Sequence, residues 1–134
     1  MRTNRWVVRT EAAPSPVGPY SQGMVASGLV FTVGVVGSNP VTSELVGGGL
    51  EVQVPQALDN LEAILEGAGT TMSAIVKANV YLVDMADFAA FNEIYGARLR
   101  EPYPPRTTLA VAGLPLGARV EIDCIALTSM GRTW

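Results

Sequence analysis

An arginine set directly behind two prolines, Pro104-Pro105-Arg106, and a glutamate on the following strand-like stretch, Arg119-Val120-Glu121-Ile122-Asp123, are the groups in this chain best suited to chemistry. A guanidinium is a planar, permanently charged fork that meets a carboxylate with paired charge-assisted hydrogen bonds, which a lysine cannot copy. A glutamate beside it can polarise a water molecule. Tyr20, in the stiff Gly18-Pro19-Tyr20 loop, can wall a pocket or hydrogen-bond a small ligand, whereas Asn92, beside Phe91, reads as a group that ties down backbone. Taken singly, each of these also fits an ordinary structural role, the charges above all as a solvated strand face. Asp123 shares the polar side of Glu121 without a signal of its own, Cys124 belongs to apolar core, and Gly47-Gly48-Gly49 is better read as a flexible loop than as an anion site.

What is missing narrows the chemistry further. There is no histidine and only one cysteine, which removes the usual general base, the serine–histidine triad and most zinc sites. No glycine-rich dinucleotide fingerprint and no phosphate-loop lysine occur. Any reaction must be run by Arg, Glu, Asp, Tyr, Thr, backbone groups and water.

These groups need rigid supports. Pro104–Ala112 and Arg119–Ala126 both alternate with period two, and the Gly113–Gly117 cluster between them is a loop joining two strands. Val120, Ile122, Cys124 and Ala126 share one face of the second strand, Arg119, Glu121 and Asp123 the other, so that fork and carboxylate stand on adjoining elements of sheet. Upstream, Arg5–Arg9 is a short strand, Ala13–Gln22 a proline-rich loop, and Gly23–Val36 two strands about a Ser27-Gly28 turn. Asn39-Pro40 opens a further turn. From Glu51 to Glu66 the period becomes helical, with Val54, Leu58, Leu61, Leu65 and Ala68 on one stripe, Pro55 in the first turn and Gly67 and Gly69 as the stop. Ala74–Leu82 is a central strand whose Ala74, Val76, Ala78, Val80 and Leu82 face is wholly apolar. Asp84-Met85-Ala86-Asp87 is the cap of a second helix with Phe88, Phe91, Tyr95 and Leu99 as its buried stripe, ended by Pro102, Pro104 and Pro105. The order is βββαβαββ, an α+β sandwich with two helices on one sheet face.

The composition adds limits. The 134 residues make a single domain, 1–134, and are 49% hydrophobic but only 16% charged, against about a quarter in a typical domain. Such a chain is expected to bury its uncovered sheet face in an oligomer. A net charge of −3 with no basic cluster argues against a nucleic-acid surface. No apolar run reaches membrane-span length, and Met1–Trp6 has no signal-peptide core. With a single Cys124, no internal disulfide forms and a cytoplasmic protein is expected.

The motifs Pro16-Val17-Gly18-Pro19-Tyr20-Ser21-Gln22, Gln56–Leu61, Asp84–Phe88 and Phe91-Asn92-Glu93-Ile94-Tyr95 occur in an order that resembles the RidA/YjgF family. Pro105-Arg106-Thr107-Thr108, Gly113-Leu114-Pro115 and Val120-Glu121-Ile122 continue the match to nearly the whole chain. The resemblance implies a chorismate-mutase-like fold assembled as a homotrimeric barrel with clefts between subunits. It also implies hydrolysis of 2-enamine and 2-imine acids to 2-keto acids and ammonia, without metal or organic cofactor. It places the carboxylate-binding arginine on Arg106, the water-positioning glutamate on Glu121, and substrate contacts on Tyr20, Val33, Gly34, Asn92 and Thr108.

The chain departs from the family where Val33-Gly34-Val35 replaces Ser-Gly-Gln and where Thr108 replaces a position often held by Cys. Two valines in place of a hydroxyl and an amide imply a less polar cleft and imines with apolar side chains. The competing readings are a family member recruited to a specialised catabolic or biosynthetic pathway, and a non-enzymatic small-acid-binding regulator. Ribonuclease activity fits poorly with an acidic chain that has no histidine and no basic stripe.

Overall fold

The computed structural model describes residues 4–128. Eight elements follow in the expected order: β1 (Arg5–Val8), β2 (Gly23–Ala26), β3 (Leu29–Thr32), α1 (Leu50–Gly67), β4 (Ile75–Leu82), α2 (Phe88–Arg98), β5 (Arg106–Ala110) and β6 (Val120–Leu127). They form one sheet in the order β1-β2-β3-β6-β4-β5, with β4 and β5 parallel and every other pair antiparallel. Both helices pack on the same face. Ser27 (φ 52°) and Gly28 (φ 77°) close the β2–β3 hairpin with the two left-handed residues that match strand twist.

Period-two patterning explains β6: Val120, Ile122, Cys124 and Ala126 are buried under the helices while Glu121, Asp123 and Ile125 stay half-exposed on the far side. The helical stripe of α1 is equally direct, with Val54, Leu58, Leu61 and Leu65 buried together with Ala57 and Ile64. The helix begins at Leu50, however, so Pro55 lies in its interior and not in its first turn. Its carbonyl accepts from Arg98 Nη1 at 3.4 Å, and Arg98 also pairs with Asp59 at 2.9 Å, which ties α2 to α1.

Further expectations are corrected. The apolar face of β4 does not include Val76: a register shift against β6 between Ile75 and Lys77 inserts one residue, so Ile75 turns inward and Val76 is 39% exposed. Asp84 caps the short 3₁₀ turn Met85–Asp87, accepting from Ala86 N–H at 2.9 Å, and not α2 itself. Asp87, at the α2 start, instead accepts from Arg119 Nη2 with both carboxylate oxygens, at 2.7 and 2.9 Å, and Phe88 sits at the surface while Phe91, Tyr95 and Leu99 are buried. Finally, β5 and β6 follow one another in sequence but are not neighbours, because β4 lies between them.

The sheet face away from the helices is uncovered. Val7, Met24, Phe31 and Ile125 run across it in register, with Tyr81 and Leu109 further along. Phe31 and Leu109 are 41% and 51% exposed.

Candidate active site

Arg106 opens β5 opposite Ala78, a residue buried under the helices, so its side chain runs over α2. There it lies on an aromatic shelf, with its guanidinium carbon 4.9 Å from the Tyr95 ring centre, 5.2 Å from Phe91 and 5.7 Å from Phe88. Such stacking holds a cation in one orientation without consuming its hydrogen-bond donors. Nε donates to Thr108 Oγ1 at 2.9 Å and Nη2 to Asn92 Oδ1 at 2.5 Å. With Nε committed, Nη1–Nη2 is the edge left to meet a carboxylate with two prongs. Asn92 therefore orients the arginine and does not tie down backbone. The stripe residues Phe91 and Tyr95, read from the sequence as core alone, also form this shelf; aromatics one helical turn apart facing the arginine strand were the available signal. Burial raises the Tyr95 phenol above its ordinary pKa, with Arg106 pulling the other way, so the ring is neutral at physiological pH.

Glu121 belongs to a second cluster. Its strand neighbour Tyr81 also pairs with Leu109, whereas Arg106 pairs with Ala78, so the two charged groups stand on opposite faces of the sheet. Within one chain they do not meet. Glu121 is half-buried and its carboxylate makes no hydrogen bond to the protein among the described residues. Asp123, by contrast, accepts from Asn79 Nδ2 at 2.8 Å. Burial first, and the charge of Asp123 second, raise the Glu121 pKa above the ordinary carboxylate value. An unpartnered, reluctant carboxylate is a strong acceptor for a water proton.

The segment that follows β3 carries Val33 and Gly34 past this carboxylate. Val35 is stapled to β6 by two backbone bonds with Ile122, at 2.8 and 2.9 Å, and is buried. A side chain at position 34 would displace the carboxylate from its present place, since a Cβ there would stand 2.6 Å from Glu121 Oε2 and 2.8 Å from Cδ. Gly34 thus fixes where the carboxylate lies. Gly34→Ala should push it aside and lower turnover on the order of 100-fold, the usual cost of misplacing a reacting group by about an ångström. Steady-state kinetics on folded protein checks this, and unchanged turnover would remove the positioning role.

Beside Glu121 opens a cavity of about 190 Å³ lined by Tyr20, Val33, Gly34 and Leu116 among others. Tyr20 forms its wall, its hydroxyl accepting from Val17 N–H at 3.2 Å. The structure thus brings the candidate residues together as two groups: Arg106, Asn92 and Thr108 in one, Glu121, Tyr20, Val33 and Gly34 in the other. Leu116 was not singled out from the sequence; a bulky residue directly before Gly117 in a tight turn was the signal available. Among the described residues there is no cluster of three or more metal-ligating side chains, and no helix is long and apolar enough to cross a membrane.

Six mixed strands with two helices on one face, in the order βββαβαββ, define a chorismate-mutase-like α+β fold. The family described as Endoribonuclease L-PSP matches residues 10–128. The chain is 47% identical over 120 residues to Reactive Intermediate Deaminase A, chloroplastic, of Arabidopsis thaliana, covering 90% of this chain and 64% of that relative's length. It is 39% identical over 123 residues to the 2-iminobutanoate/2-iminopropanoate deaminase of Capra hircus, covering 92% and 90% of the two chains. Among solved structures, E. coli TdcF with bound serine superposes with a TM-score of 0.86 at 34% identity, over 92% of this chain and 99% of that one. The chain belongs to the RidA/YjgF family.

Proposed function

We propose that this protein is a hydrolytic deaminase of free 2-imino and 2-enamine acids, converting them to 2-keto acids and ammonia. The observation that carries the proposal is the pairing of two incomplete sites: a guanidinium clamped on one side with its two-pronged edge open, and an unpartnered half-buried carboxylate at a cavity mouth. The substrate's carboxylate docks on Arg106, held by Asn92, Thr108 and the aromatic shelf. Its protonated imine carbon is already electrophilic, so the protein need only aim a water. That water adds its oxygen to C2 while Glu121 takes one proton and passes it to the nitrogen. Collapse of the adduct forms the C=O bond, breaks the C–N bond and releases ammonia; the second water proton leaves with the product as ammonium. No step requires histidine, metal or organic cofactor. The names of the relatives and the amino acid held by TdcF support a small amino-acid-derived substrate.

Because Arg106 and Glu121 face away from one another within a chain, we place each site between two copies of a homotrimer, with the uncovered apolar sheet face inside the assembly. The family description as an endoribonuclease is a poorer fit, since a net charge of −3 offers little to phosphates. Neither a nucleic acid nor a membrane is assigned as a partner, and with one buried cysteine we place the protein in the cytoplasm. The test is ammonia release from imines generated in situ, run beside sedimentation. Turnover by a species of three times the chain mass is the expected result; a monomer that still turns over would overturn the shared site, and a trimer without turnover would favour the small-acid-binding regulator.

A further inference from the structure

We propose that the cavity beside Glu121 is a side-chain pocket that selects imino acids with large apolar side chains, and that Leu116 is the residue setting this preference. The inference rests on the hydrolytic reading for its chemistry but on independent geometry for its specificity. The cavity holds about 190 Å³, more than the roughly 150 Å³ of an apolar cavity that accepts benzene. A methyl or ethyl side chain would leave most of it empty.

Its walls are mostly apolar, with the hydroxyls of Ser15, Ser38, Ser43 and Tyr20 set among them. Val33, Val35, Pro14, Pro16 and Ile64 are apolar, and the two amide side chains that reach it are already committed. Gln22 accepts from Thr10 N–H and donates to the carbonyls of Thr10, Ala13 and Pro14. Asn60 donates to the carbonyls of Val36 and Ser38 and accepts from Gln56. Among the lining groups, Glu121 is the one carboxylate, and it stands where the proposed reaction occurs.

Backbone strain converges on the same place. Among the described residues, non-glycine positive φ occurs at Ser27, Ser43 and Leu116. Ser27 makes the hairpin turn; Ser43 (φ 63°) and Leu116 (φ 61°) both line this cavity. A leucine is costly in the left-handed region, and nothing in the turn Pro115–Gly117 needs one: its side chain is 59% exposed and buries little in its own chain. What the strained backbone does achieve is to hold an apolar side chain at the cavity mouth, on the loop that leads into the Glu121 strand.

The experiment compares kcat/KM for imines made in situ by an amino-acid oxidase from leucine and from alanine, on the full chain. Each additional buried carbon is worth about fourfold, so the leucine imine should lead on the order of 50-fold. In Leu116→Gly that ratio should fall at least severalfold while Tm does not fall, because glycine suits the backbone at this position. Val33→Phe, which fills the cavity, should reverse the order. A wild-type preference for the alanine imine, or an unchanged ratio in Leu116→Gly, would overturn the proposal. If no imine is turned over, the hydrolytic reading fails on its own, and calorimetry with the keto acids of leucine and alanine still decides the pocket: tighter binding of the larger supports it, and equal binding overturns it.

Discussion

Glu121→Gln should stop turnover without loosening the ligand. Glutamine keeps the size and an acceptor oxygen but cannot take a proton, so a loss on the order of 100- to 10,000-fold in rate is expected, the usual range for a general base. Affinity for the keto acid product should hold or improve, since a negative charge near its carboxylate is removed. The pH profile gives a second signature. Burial and Asp123 raise the Glu121 pKa, so the wild-type rate should drop on the acid side at a pH above the ordinary glutamate value of about 4.3, and this limb should vanish in the variant. Stability moves the opposite way. A carboxyl whose folded pKa is raised binds more protons folded than unfolded, so folding loses stability as pH rises through the window between the two values. At neutral pH the ionised group is therefore a burden on the fold, and Glu121→Gln should melt higher than wild type. A variant that hydrolyses imines at the wild-type rate would remove Glu121 from the mechanism.

Arg106→Lys should impair binding and turnover together. Lysine retains the charge but loses the planar edge, the stacking on Phe91 and Tyr95, and the paired anchoring by Thr108 and Asn92. One forfeited charge-assisted bond corresponds to about 1.5–3 kcal/mol, or roughly 10- to 150-fold in affinity for a keto acid. The two variants also test the shared site. If Arg106 of one copy works with Glu121 of its neighbour, denatured Arg106→Lys and Glu121→Gln chains refolded together should regain activity at about a quarter of their clefts, as random assembly of a cyclic trimer requires. A mixture no more active than its parents would place both groups in one chain, against the geometry of the sheet. Normal keto acid binding by Arg106→Lys would dismiss the carboxylate clamp.

Much of this arrangement is legible in the sequence. Alternation in Val120–Ala126 and the stripe from Val54 to Leu65 each follow from burial within one element, and both stand as read. What crosses between elements was not. Period two says which residues of a strand share a face but not which face two strands have in common; that phase is set by pairing, and β4 slipping between β5 and β6 put Arg106 and Glu121 back to back. The same limit hid the outward turn of Val76, since a bulge is a property of two strands together. Asp87 reads locally as part of a helix cap until Arg119, distant in sequence, claims its carboxylate. Gly34 could be named from the sequence as a candidate, yet its closeness to Glu121 belongs to tertiary structure.

Strand β5 is an end of the sheet, and an open strand end is a template on which other chains can pair and aggregate. Here the approach is guarded. Pro104 and Pro105 have no N–H to offer an intruding strand, and the strand itself lasts only from Arg106 to Ala110. The two prolines that lead into Arg106 thus also discourage misassembly along this edge. A substitution made there to retune the site would act on solubility as well as on chemistry.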